Sequence, residues 1–331
     1  MTSPWSDQYV LVSGAGGFIG SHLVERLVAE GARVRAFVRY NSRGDPGLLH
    51  LLSAETLGQV EVVAGDLRDG EAVRKAVEEC QIVFHLGALI SIPYSYRHPA
   101  EVAETNFIGT LNVLMACRDL GVEMLIHTST SEVYGTARHV PIDESHPLQG
   151  QSPYSASKIG ADKLVESFHC TYALPALTIR PFNTYGPRQS ARAVIPTIIT
   201  QALTQGTVCL GNLDTWRDFT YINDTIQGFM KAAEVKGLEG KVLNLGSGQE
   251  IKIGELAQKI VQKVGRPVKI EVDPARLRPE QSEVLRLISD NTLARKSLGW
   301  QPEVSLDQGL DQTIDWIKAH TDLYRIGAYE F

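Results

Sequence analysis

The chain has 331 residues, more than one compact core usually fills, so a large domain with an added lobe, or two domains sharing a cleft, is expected. Apolar residues make up 43% and charged residues 21%, which excludes disordered, collagen-like and coiled-coil chains. With 32 Lys and Arg against 38 Asp and Glu the net charge is -6, and no basic stripe is present to neutralise a phosphate backbone, so no nucleic acid partner is expected. Cys80, Cys117, Cys170 and Cys209 are widely spaced, which argues against a zinc site or a disulfide framework and suits a reducing cytoplasm. Met1 to Tyr9 is polar without a basic stretch, and no run of ~20 apolar residues follows, so neither a signal peptide nor a membrane span is expected.

Tyr9 to Ser13 is a short apolar run that breaks into Gly14-Ala-Gly-Gly17-Phe18-Ile19-Gly20, and Ile19, Leu23 and Leu27 then share one helical face up to Gly31. Further strands are predicted at Val34 to Val38, Val60 to Ala64, Ile82 to Leu86 and Met124 to Thr128, with helices such as Glu71 to Glu79, Ala103 to Leu120 and Tyr154 to Tyr172 between them. Strand and helix in alternation mean parallel pairing. The apolar runs at Val60 and Ile82 read as strands buried on both faces. The fold class is therefore α/β, a doubly wound parallel Rossmann sheet with right-handed crossovers and a smaller discontinuous α/β lobe.

Beyond Arg180 the pattern turns irregular, with Pro181, Pro187 and Pro196, before one more sheet strand at Val242 to Leu245. The dinucleotide-binding domain is expected to span 1–180 plus about 223–246, and the substrate lobe 181–222 and 247–331. Within that lobe, helices are predicted at Ile253 to Val264, Thr292 to Leu298 and Leu306 to Ala319, and a strand at Val268 to Val272.

A glycine-rich turn between strand and helix holds a pyrophosphate at the helix amino terminus. Gly14, Gly17, Phe18, Ile19 and Gly20 are the candidates. Asp66 and Leu67 follow the third strand, where the Asp66 carboxylate reaches an adenine amino group or caps the next helix. Leu86, Gly87 and Ala88 follow the fourth. The second strand ends in Arg39-Tyr-Asn41-Ser42-Arg43 with no acid for a ribose 2′-hydroxyl. Cations and small polar groups there suit a 2′-phosphate, which favours NADP over NAD.

Tyr154-Ser-Ala-Ser-Lys158 places a phenol and an ammonium on one helical face. The ammonium is expected to lower the phenol's pKa and make it a base. Thr130, at the end of the fifth strand, adds a hydroxyl for the substrate oxygen. Together they form a Thr/Tyr/Lys set for taking a hydride from a secondary alcohol.

In this order the motifs resemble the extended short-chain dehydrogenase/reductases over the whole chain. The resemblance adds Asn106 and Thr128 to the cofactor contacts and Ser91 to the substrate contacts. Thr128-Ser-Thr130-Ser131-Glu132-Val-Tyr134-Gly135 narrows the family, because 4,6-dehydratases and UDP-glucuronate decarboxylases carry this glutamate and sugar 4-epimerases usually lack it. Where Ser131 stands, glucose-type dehydratases have an aspartate that protonates the leaving hydroxyl, so here either Glu132 itself carries the carbon-5 proton to the departing oxygen or Ser131 relays it. By the same likeness Asn183, Arg192 and Arg217 hold the sugar diphosphate, Val194 and Ile195 line the base pocket, and Arg278 in Arg278-Pro279-x-x-x-Glu283-Val284 reaches ribose or phosphate.

Ile92-Pro-Tyr-Ser-Tyr96, the segment from Arg180 to Ile199 and the Tyr-containing tail are similar to dehydratases of legionaminic-acid synthesis that act on GDP-N-acetylglucosamine. The expectation is a nucleotide-sugar 4,6-dehydratase with a tightly bound, recycled NADP or NAD, no metal, and a homodimer built on the Ala103 and Tyr154 helices. A decarboxylase, a 4-epimerase and a non-catalytic NADP sensor are the alternatives.

Overall fold

A computed structural model describes residues 3–324. The end of the tail, including Tyr329, lies outside the described residues. Seven parallel strands form the main sheet, in the order β7-β6-β5-β4-β1-β2-β3. They are β1 (Tyr9–Ser13), β2 (Arg33–Arg39), β3 (Val60–Gly65), β4 (Ile82–His85), β5 (Met124–Thr128), β6 (Ala176–Pro181) and β7 (Val242–Leu245). This is the doubly wound Rossmann arrangement expected from the sequence. The order reverses between β1 and β4, which opens a crevice at their carboxyl ends.

Alternation along β1 shows why both faces are covered. Val10 and Val12 pack with Leu23, Leu27 and Phe229, on the side of α1 (Phe18–Ala29) and a later helix, Ile222–Glu234. Tyr9 and Leu11 face Val73, Val113 and Val165, on the side of α2 (Gly70–Val77), α3 (Gly109–Leu120) and α4 (Pro153–Tyr172). A side-chain period of two thus divides one strand between two cores.

Three expectations need correction. β3 is the edge strand and not buried on both faces, since Glu61, Val62 and Ala64 are exposed. The helix read as Ala103 to Leu120 is interrupted by a wide π turn over Glu104–Ile108 before α3. β6 is an additional strand: its Arg180 interrupts the apolar run, yet it is buried by pairing with Asp162 on α4. No helix among the described residues is long and apolar enough to cross a membrane. Cys80, Cys117, Cys170 and Cys209 are all free thiols.

Three small sheets lie outside the main one. Thr207–Leu210 pairs with Lys269–Val272, Thr184–Tyr185 with Thr220–Tyr221, and Trp216–Asp218 with both Glu250–Lys252 and Arg286–Leu287. Segments on either side of β7 are thus joined, and their apolar side chains are continuous with the α1 side of the core. Asp218 is the main polar stitch. Fully buried, it accepts from Ser247 N and Oγ, Gly248 N and Ser289 N. Asp218→Ala strands those donors, so chemical unfolding is expected to show a loss of about 3 to 5 kcal/mol.

Candidate active site

Two large cavities meet at the carboxyl ends of the strands. The first, about 620 Å³, is lined by Gly14, Gly17, Phe18, Ile19, Gly20, Arg39, Asn41, Leu86, Ala88, Thr128, Thr130, Ser131 and Tyr154. A smaller space of about 130 Å³ adjoins it at Gly14, Asp66, Leu67 and Gly87. The second large cavity, about 510 Å³, is lined by Asn183, Arg192, Val194, Ile195, Arg217 and Arg278. Glu132, Asn183, Thr184 and Gln189 belong to both.

The glycine turn fits a dinucleotide. α1 starts at Gly17 without a side-chain cap, which leaves its first N–H groups for an anion. A side chain at Gly14 would lie 2.8 Å from Gly87 N, and one at Gly20 would overlap Gly14 O. The site therefore needs glycine for close backbone approach, and Gly14 also has a φ of +71°. Behind the turn, Gly87 N donates to Ser13 Oγ at 3.1 Å and Ser13 Oγ pairs with His85 Nδ1 at 2.7 Å.

The outer cofactor residues divide. Asp66 does not cap α2, a role taken by Asp69; it accepts from Arg68 and is held down at about 2 by that partner. Arg39 pairs with Glu101 at 3.3 Å. Ser42 and Arg43 lie on the exposed loop outside the cavity lining, whereas Asp45, which sequence reasoning passes over, lines it. Asn106 acts from behind, bonding Leu89 N and O and Ser157 Oγ. Ser91 caps the helix Ile92–Arg97 and lines neither large cavity.

α4 carries the reactive pair. Ser152 and Ser155 form a capping box that fixes its first turn, so Tyr154 and Lys158 leave one face together. Tyr154 is hydrogen-bonded to Thr130, while Lys158 Nζ donates to Thr128 O at 2.7 Å. The expected lowering of the phenol is not seen in the chain itself. Burial pushes Tyr154 up, the Thr130 bond opposes that, and the Glu132 and Asp162 charges add to it. Burial also brings Lys158 down to about 8, with Asp162 opposing.

Thr130 caps the tight turn Ser131–Tyr134, accepting from Glu132 N at 3.2 Å. That turn puts Glu132 into both cavities. Arg278 lies 4.0 Å from Glu132 and 3.9 Å from Glu283, and Arg217 lies 3.7 Å from Glu283. Arg278 thus sits between two carboxylates in the lining of the second cavity. Burial lowers the pKa of Arg217, which an incoming anion would relieve. Arg192 is exposed, Val194 partly so, and Ile195 fully buried. Glu283, Gln189 and Tyr96 also line the substrate cavity, and the sequence alone gives them no role. Among the described residues no cluster suits a metal ion.

Gly20→Ala is expected to lose bound dinucleotide on gel filtration and to melt about 5 °C lower, because the added carbon meets backbone that must shift.

The arrangement agrees with proteins of known class. Residues 11–313 match the family described as GDP-mannose 4,6 dehydratase. A UDP-glucose 4-epimerase of Mycolicibacterium smegmatis is 36% identical over 93% of this chain and 98% of its own length. A dTDP-glucose 4,6-dehydratase of Xanthomonas campestris is 32% identical over 92% of each. Among solved structures, DesIV, a dTDP-glucose 4,6-dehydratase of Streptomyces venezuelae with NAD and TYD bound, superposes with a TM-score of 0.86 at 29% identity over 96% of this chain and 99% of that one. A glycine cradle, a Tyr154 and Lys158 pair and a glutamate facing two cavities stand where that match runs, and the chain belongs to the GDP-mannose 4,6-dehydratase family of extended short-chain dehydrogenase/reductases.

Proposed function

We propose that the chain is a nucleotide-sugar 4,6-dehydratase acting on GDP-N-acetylglucosamine. The observation that carries this reading is the place of Glu132, two residues past Thr130, in the lining of both the dinucleotide cavity and the arginine-rich cavity. Dehydrogenation at carbon 4 needs only Thr130, Tyr154 and Lys158. A carboxylate at the junction supplies what that step lacks, a base for carbon 5.

A nicotinamide dinucleotide would be held by the turn of Gly14, Gly17 and Gly20 and would supply the hydride acceptor and donor for the reaction. Thr130 and Tyr154 hold the 4-hydroxyl, and Tyr154, once it has itself lost its proton, takes that of the 4-hydroxyl. The resulting ketone acidifies carbon 5. Glu132 removes that proton and delivers it, directly or through Ser131, to the departing 6-hydroxyl, which leaves as water. When carbon 6 receives hydride, carbon 5 takes up a proton through Glu132, and Tyr154 gives back the 4-hydroxyl proton, so the protons balance. Arg278 steadies the Glu132 carboxylate, and Arg217 and Arg192 face the diphosphate with fork-shaped donors.

Purified protein incubated with GDP- and UDP-sugars is expected to give a product lighter by one water from GDP-N-acetylglucosamine. Loss of carbon dioxide from UDP-glucuronate would select a decarboxylase, and an isomer of unchanged mass an epimerase like the Mycolicibacterium relative. Glu132→Gln should still reduce the bound nicotinamide but release at least about 100-fold less dehydrated product; product at the wild-type rate would overturn the assignment.

NADP is the proposed cofactor, on the strength of Arg39 in the cavity lining and the absence of an acid directly after β2. Asp45 in the cavity lining is the opposing feature, suited to a free 2′-hydroxyl. The mass of the dinucleotide released on denaturation decides between them, and Arg39→Ala is expected to weaken NADP about tenfold while leaving NAD unchanged.

A further inference from the structure

The end of β5 is gripped from beneath by one buried carboxylate. Asp162 stands one helical turn after Lys158 on α4 and is 5% exposed. Its Oδ1 accepts from His127 Nε2 at 3.3 Å. Its Oδ2 accepts from Ser129 Oγ at 2.8 Å and from Arg180 Nε and Nη2 on β6 at 3.1 and 2.9 Å. His127 and Ser129 flank Thr128, whose carbonyl receives Lys158, and Ser129 precedes Thr130, which holds Tyr154. Arg180 also donates to Tyr134 OH at 2.9 Å, at the end of the turn that carries Glu132.

We propose that Asp162 is the positioning residue of the hydride-transfer step: it pins residues 127–129 so that Thr128 O and the Thr130 hydroxyl keep their spacing to Lys158 and Tyr154, and it sets a fixed negative charge below the Lys158 ammonium. This role rests on Tyr154 and Lys158 carrying hydride transfer and is independent of the later fate of the ketone.

Among the charges around Lys158, that of Asp162 opposes loss of the lysine's proton, although Asp162 is itself hydrogen-bonded to Arg180. His85 on β4 and His127 on β5 are both held neutral by burial and by the lysine's own charge. Tyr154 is a neutral phenol, Arg180 is committed to Asp162, and Glu132 lies beyond Tyr154 in the cavities. Burial drives Lys158 towards the neutral amine, and Asp162 opposes it. Without the carboxylate charge, the ammonium gives up its proton at a lower pH.

Two measurements on the holoenzyme test this. In a 15N NMR titration with Lys158 assigned by Lys158→Met, Asp162→Asn is expected to move the lysine midpoint down by about one pH unit. In single-turnover reduction of bound nicotinamide by GDP-N-acetylglucosamine, the alkaline limb of the rate profile should move down equally. Ser129→Ala, which spares the Asp162 charge and its pairing with Arg180, should slow that reduction about tenfold with the limb in place. An Asp162→Asn limb and lysine midpoint that coincide with wild type, with only a uniform loss of rate and melting temperature, reduce Asp162 to a structural group and overturn the proposal. Wild-type reduction by Ser129→Ala overturns the pinning even if Asp162→Asn does not fold. If wild type reduces no cofactor with this sugar, the substrate reading fails, and the lysine midpoint still decides the role of Asp162.

Discussion

How near the backbone after β1 comes to the backbone after β4 governs the rest of this molecule. With only hydrogens on Gly14, the two turns close to a distance that a methyl group would forbid, 2.8 Å from Gly87 N. That contact sets the floor of the crevice where the strand order reverses. Ser13 and His85, close before each turn, tie the floor together, and His85 Nε2 extends the tie to Thr110 on α3 at 3.0 Å. Close packing and these hydrogen bonds fix the relative places of the turns after β1 and β4, which line the cavities beside Tyr154.

Much of this is legible in the chain because the signals are local. Apolar runs of four to six residues mark β1, β4, β5 and β7 within a residue of where they lie, since a strand covered on both faces has little freedom in composition. The glycine spacing and the Tyr154 and Lys158 pair are visible for the same reason: one turn or one helical face fixes each. What escapes depends on partners far along the chain. A Val-rich run does not tell an edge strand from a central one, so β3 reads as buried although it is not. Arg180 hides β6, because a charge inside a strand is tolerated only once Asp162 is opposite. Arg278 and Glu132 come from distant segments, and their approach to 4.0 Å comes from the folding of the 278–283 stretch over the cavity.

The site also sorts its charges by depth. On the lower side, Asp162, Arg180 and Lys158 are buried and hydrogen-bonded, which fixes their positions. Above them, Glu132, Glu283, Arg217 and Arg278 form ion pairs of 3.7 to 4.0 Å, and Arg217 also donates to Trp216 O at 2.9 Å. Such looser pairs can exchange partners at less cost than the buried set below them. The lower set gives geometry and the upper set gives response.

The exposed edge at β3 has a meaning unrelated to catalysis. Its unpaired N–H and C=O groups are a template for a strand of another molecule. Glu61 stands in the middle of that edge, held by Tyr9 OH and by Arg35 Nε from the neighbouring strands. A strand arriving from a second molecule would have to dock beside this anchored carboxylate and strip its water. The sheet can therefore leave one margin open in a crowded solution and still resist joining its neighbours edge to edge.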